Sequence, residues 1–153
     1  MKASKRLGRN ATVATLVASA VTFGLASSAS ADSVGYYIGL TSDIVWSDAT
    51  AHTWTSTSVH LVWQTDGNLV LYCNDNGKVL WATNTYGQDD THIEFSGGGI
   101  TISALEGGAS TLLWWAGGGN PNDYAYVQND GNFVIYRPNG GGAEWATGTE
   151  NRC

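Results

Sequence analysis

Residues 64–85, QTDGNLVLYCNDNGKVLWATNT, return 64 residues later as QNDGNFVIYRPNGGGAEWATGT at 128–149, without a gap. Eleven of the 22 positions are identical. A unit this small cannot bury an apolar face alone, so its copies must share a core. Half an offset away, EFSGGGITI at 94–102, followed by Trp114-Trp115-Ala116, stands where a third copy belongs. Three units in one short chain predict a three-fold arrangement of small β units.

The local pattern reads as strand. Gln64, Asp66, Asn68, Val70 and Tyr72 alternate with Thr65, Gly67, Leu69 and Leu71, and strand side chains alternate faces with period two. One face is then polar, and the other sends Leu69, Leu71 and Cys73 toward a core. In the last copy Phe133 and Ile135 take the core positions. Asn-Asp-Asn-Gly at 74–77 and Pro-Asn-Gly-Gly-Gly at 138–142 read as turns. No 3.6-residue apolar period follows residue 31, so the expected class is all-β.

The polar face has a chemistry. A strand face that only meets water carries Lys, Glu, Thr and Ser in varied order. Here two stretches carry Gln, Asp, Asn, Val and Tyr in one order, and Asp, Asn and Gln are poor strand formers. A carboxylate accepts, amides accept and donate, and a phenol does either. Such a row suits a sugar ring, whose hydroxyls also do both, with Val70 or Val134 beside its C–H groups. Repetition of a shallow site raises avidity for multivalent glycans.

These residues resemble a known family. Gln-x-Asp-x-Asn-x-Val-x-Tyr is the binding motif of the monocot (bulb-type, snowdrop-like) mannose-binding lectins, and both intact copies match it at all five positions. Trp-Ala-Thr-Asn-Thr at 81–85 and Trp-Ala-Thr-Gly-Thr at 145–149 are similar to that family too. The resemblance spans about residues 59–149. It implies a β-prism II, three small antiparallel sheets around a pseudo-three-fold axis. It also implies mannose contacts from Gln64, Asp66, Asn68, Val70 and Tyr72, and from Gln128, Asp130, Asn132, Val134 and Tyr136. By the same resemblance Trp81, Trp145 and one of Trp114 and Trp115, assigned to Trp115, are the core aromatics. No metal or other cofactor is implied, and pairing into a homodimer is a property of some members. In the middle copy Glu94, Ser96, Gly98, Ile100 and Ile102 replace the five motif residues. That site is expected not to bind mannose, with Ile100 and Ile102 turned toward a partner or covered by the 103–113 segment. Residues 32–58 match the family's opening poorly, and Tyr36-Tyr37, Trp46 and Trp54 are candidates for the remaining strands.

The chain's start reads differently. Lys2 to Arg9 is basic, Ala11 to Ala26 is apolar, and Ala29-Ser30-Ala31 offers small residues for cleavage. Residues 1–31 are therefore expected to be a secretory signal peptide, leaving one lectin domain at 32–153 in a secreted bacterial protein. The apolar run is shorter than a membrane span needs. Residues 32–153 hold 3 basic and 13 acidic side chains, which disfavours nucleic acid and membrane insertion. In an oxidising compartment Cys73 and Cys153 are expected to form a disulfide, within one chain or between two. An enzyme is disfavoured. His52, His60 and His92 lack metal-ligand spacing, and Asp66 and Asp130 belong to separate sets rather than one cleft. The alternatives are a lectin-like bacteriocin that uses the same sugar sites against competing bacteria, and a β-trefoil with a different three-fold symmetry.

Overall fold

The structure is a computed structural model, and it describes residues 35–41 and 44–153. The expected signal peptide lies outside the described residues. Among the described residues, twelve strands form three four-stranded antiparallel sheets. One sheet is continuous in sequence: β3 (His52–Thr55), β4 (Val59–Trp63), β5 (Leu69–Cys73) and β6 (Val79–Ala82). The second joins β2 (Ile44–Ser47) to β7 (Thr91–Ser96), β8 (Gly99–Glu106) and β9 (Ala109–Gly117). The third joins β1 (Tyr36–Gly39) to β10 (Tyr124–Val127), β11 (Phe133–Tyr136) and β12 (Ala143–Ala146). Tyr36-Tyr37, Trp46 and Trp54 thus supply β1, β2 and β3. The opening segment gives each of the three sheets an outer strand, and β1, paired with β10, ties the unit's start to its end.

Period-two alternation decides what is buried. In β4, Val59, Leu61 and Trp63 face inward, and across from them in β5 stand Cys73, Leu71 and Leu69. The other sheets repeat this with Ile93 and Phe95 opposite Ile102 and Ile100, and with Ala125 and Val127 opposite Ile135 and Phe133. Apart from Cys73, these side chains meet in one apolar cluster, and burying each large one contributes roughly 1.5–3 kcal/mol. Trp63 also sends its indole N–H to the carbonyl of Ser47 at 3.2 Å.

Three tryptophans mark the axis. Trp81, Trp114 and Trp145 contact one another edge to face, with ring centroids 5.6, 5.5 and 5.6 Å apart, an arrangement aromatic quadrupoles favour. The assignment of Trp115 to this core is corrected. Trp81, Trp114 and Trp145 pair across Leu71, Ile102 and Ile135, the last inward residue before a register shift in each sheet. Trp115 pairs with the outward Thr101 instead and is 63% exposed. One step along a strand changes the face. A disulfide joins Cys73 to Cys153 within the chain, across 80 residues of sequence.

Candidate functional site

The five-residue motif is not one strand. Only Val70 and Tyr72 lie on β5, whereas Gln64 to Asn68 form the β4–β5 connection. Gln64 N–H donates to the Asn68 carbonyl at 2.9 Å, and Gly67 N–H donates to the Gln64 carbonyl at 3.1 Å. Gly67 takes φ +80°, the left-handed residue that closes a three-residue hairpin loop. Asp, Asn and Gly therefore occupy a turn, where they are favoured residues. Their poor strand propensity is no argument for binding here. Their hydrogen bonding is.

Asp66 Oδ1 accepts the Asn68 N–H at 3.0 Å, a local turn clasp. Asn68 Oδ1 accepts the Thr83 hydroxyl at 2.9 Å and the Thr85 N–H at 3.4 Å. The Thr85 hydroxyl donates to the Gly67 carbonyl. Gln64 Nε2 reaches back to the Tyr72 oxygen at 2.7 Å. Four groups make no further bond among the described residues: Gln64 Oε1, Asp66 Oδ2, Asn68 Nδ2 and the Tyr72 O–H. They are two acceptors and two donors on one rim. The supporting Thr83 and Thr85 were missed as site residues, although their identity in both copies was the available signal.

The last copy repeats this network atom for atom. Gln128 Nε2 donates to the Tyr136 oxygen at 2.7 Å, and Asp130 Oδ1 accepts the Asn132 N–H at 3.0 Å. Asn132 Oδ1 accepts the Thr147 hydroxyl at 2.7 Å and the Thr149 N–H at 3.2 Å.

Their surroundings differ. His60 stacks on Tyr72 in the first site, and Tyr124 stacks on Tyr136 at the same register position in the other. Tyr126 and Tyr37 flank the second site where Val62 and Thr53 flank the first. The second site is more enclosed. Gln128 is 1% exposed against a partly exposed Gln64, and Gln128 Oε1 is buried without a partner among the described residues. Burial raises the Tyr136 phenol above its ordinary value. Val70 and Val134 share the motif face but are 3% and 0% exposed, leaving little of either to touch a ring.

In the second sheet the expected alignment shifts by one residue. Ser96 pairs with Gly99, and Gly97 and Gly98 make the turn between them at φ +58° and +81°. Both central residues of such a two-residue hairpin need positive φ. This turn is one residue shorter than Gln64–Asn68, so every following side chain changes face. Ile100 and Ile102 consequently enter the core, fully buried, rather than facing a partner or lying under a loop. Gly98 also packs tightly, since a Cβ there would meet the Asn120 carbonyl oxygen. Thr101 and Ser103 face outward with Glu94 and Ser96, and the Ser96 hydroxyl donates to Glu94.

No protein-family model and no curated protein matches the chain. Solved structures do match. A monomeric monocot mannose-binding lectin from Gastrodia elata aligns with TM-score 0.50 and 27% identity, covering 71% of this chain and 97% of that one. A lectin of Japanese Marasmius oreades aligns with TM-score 0.55 and 23% identity, covering 77% and 94%. The snowdrop (Galanthus nivalis) mannose-specific agglutinin, solved with methyl-α-D-mannoside, aligns with TM-score 0.48 and 28% identity, covering 71% and 98%. The fold is a β-prism II.

Within this β-prism no cluster of three or more His, Cys, Asp or Glu side chains suits a metal ion among the described residues. One carboxyl pair lies apart from the sugar-type sites. Asp123 is 1% exposed and faces Glu144, which Arg137 holds at 3.0 Å. Burial, then Glu144, raises Asp123, whereas Arg137 lowers Glu144. A raised carboxyl favours the folded state most when it is protonated. That contribution is present below the ordinary aspartate range and is lost as pH rises through the raised value. Asp123→Asn keeps an N–H toward Glu144 permanently. Its melting temperature is therefore expected to gain on the wild type between acidic and neutral pH. A constant difference across that range would contradict this.

Proposed function

We propose that this chain is a secreted lectin that binds mannose-type glycans through the Gln64–Tyr72 and Gln128–Tyr136 sites. The observation that carries the reading is the duplicated network, in which Gln, Asp, Asn and Tyr take the same partners in two sheets and the same two threonines hold each asparagine oxygen. The Gastrodia elata structure, described as a mannose-binding lectin, supports the choice of sugar. The threonines engage the side-chain oxygen of each asparagine and leave its amide N–H to donate. Mannose presents hydroxyls that both donate and accept, matching the paired acceptors and donors of the first rim, whereas in the second site Gln128 Oε1 is buried. Binding is favoured over catalysis because each carboxylate, Asp66 or Asp130, sits in its own equivalent site with one oxygen engaged in a turn. Export is the reading of residues 1–31, and an internal disulfide agrees with an oxidising destination.

Asn68→Asp/Asn132→Asp is the most direct test on a glycan array. The substitution keeps the oxygen that Thr83 or Thr147 needs and replaces the donor with an acceptor. Mannose binding is expected to fall by about tenfold or more, the cost of one unmatched hydrogen bond at each site, while circular dichroism stays unchanged. Undiminished mannose binding by a folded variant would place the sugar on another face.

A further inference from the structure

We infer that the second sheet carries a separate sugar site, built on Trp115 and suited to a gluco-configured pyranose rather than to mannose. It occupies the face of its sheet that the two motif sites occupy on theirs, but with different chemistry. Thr101 stands where Val70 and Val134 stand, and Trp115 stands where Ala82 and Ala146 stand. The fold has no need of an indole there. Trp114 already completes the central triangle, and the other two sheets make do with alanine. At 63% exposure Trp115 leaves more of its surface open than any other large apolar side chain among the described residues.

The indole borders a cleft of about 370 Å³ whose lining includes Ser96, Thr101, Gly99 and Gly117. That volume lies in the range of small-molecule sites. Glycines on the floor bring backbone rather than side chains to the opening. Gly117 has no alternative, because its φ is +114° and a Cβ would lie 2.6 Å from the Gly98 oxygen. Glu94 stands across the strand pair from Thr101, and the Ser96 hydroxyl bonds to it. One flat aromatic face and two hydroxyls thus line the cleft, and the Glu94 carboxylate stands behind them, bonded by Ser96 and paired across from Thr101.

This combination selects by ring shape. An indole face attracts the polarised C–H groups of a pyranose, an interaction of the weak C–H donor type. A ring with equatorial hydroxyls, as in β-linked glucose or N-acetylglucosamine, presents axial C–H bonds to the indole and its hydroxyls edgewise to Glu94, Ser96 and Thr101. Mannose carries an axial 2-hydroxyl that interrupts one such face. The inference does not rest on mannose binding at the motif sites, since the two ligand classes are read separately.

Titration calorimetry with chitotriose and cellotriose tests it, run beside methyl α-mannoside on wild type, Trp115→Ala, Thr101→Val and Asn68→Asp/Asn132→Asp. Wild type is expected to bind at least one gluco-configured trisaccharide at millimolar concentration, with a shift in tryptophan emission. Trp115→Ala should weaken that binding by about tenfold, Thr101→Val by less, and the asparagine double variant not at all. Trp115→Ala should leave mannoside binding unchanged. Three results would overturn the site: no trisaccharide binding by folded wild type, binding that survives Trp115→Ala, or a Trp115→Ala effect confined to self-association in sedimentation.

Discussion

Trp114→Ala is expected to lower stability by about 3 kcal/mol, whereas Trp115→Ala, one residue on, changes it by less than about 0.5 kcal/mol. The contrast follows from which face each indole takes. Trp114 gives up two edge-to-face contacts, with Trp81 and with Trp145, and leaves a void on the axis that three sheets share. No single sheet can collapse into that void without leaving the other two. The Trp114 side chain is only partly buried, which sets the expectation at the lower end for a tryptophan truncation. For a unit of this size the loss is a fall in melting temperature of about 10 °C or more. Thermal unfolding followed by circular dichroism checks it. Equal shifts for the two variants would mean that Trp115, not only Trp114, supports the core.

Much of this architecture was legible in the residues. The offset of 64 between two near-copies fixed the number and equivalence of two sheets, and the glycine-rich stretch at 94–102 located the third. The β1 and β2 strands were harder, because Tyr36–Gly39 and Ile44–Ser47 are too short to show a period and pair with partners far downstream. Face assignment failed where turn length decided it. Counting in twos from Glu94 through Gly98 runs across a two-residue hairpin that contains one residue fewer than its counterparts, so Ile100 and Ile102 came out on the wrong side. The same parity separates Trp114 from Trp115. Within the motif, periodicity grouped the right residues for a partly wrong reason. Gln64 lies just past the end of β4 and meets Tyr72 by reaching along the sheet face, while Asp66 and Asn68 sit on the turn that follows it. Thr83 and Thr85 were visible as identities, but nothing in a linear reading says that they hold the asparagine oxygen.

Breaking the Cys73–Cys153 bond is expected to lower stability by about 2–4 kcal/mol, and to loosen the second sugar-type site more than the first. The size follows from the long loop that the bond closes in the unfolded chain. The asymmetry follows from how each asparagine is supported. After Thr85 the chain continues into β7, and on the way Gly87 N–H bonds to the Asp66 carbonyl at 3.2 Å. After Thr149 the corresponding Asn151 N–H bonds to the Asp130 carbonyl at 2.7 Å, and two residues on comes the disulfide at Cys153. The first strap is anchored by the next sheet. The last is anchored by the disulfide to Cys73, buried at the end of β5, with help from Lys78 Nζ on the Arg152 carbonyl at 3.2 Å. A Cys153→Ser variant therefore frees a strap that carries Thr147 and Thr149, the two partners of Asn132. Denaturant unfolding measures the stability loss. Backbone amide exchange separates the sites: Thr149 and Asn132 should exchange faster in the variant while Thr85 and Asn68 keep their protection. Equal acceleration at both would show that the bond acts only on the unfolded chain, and an unchanged midpoint would show that it does not stabilise this fold.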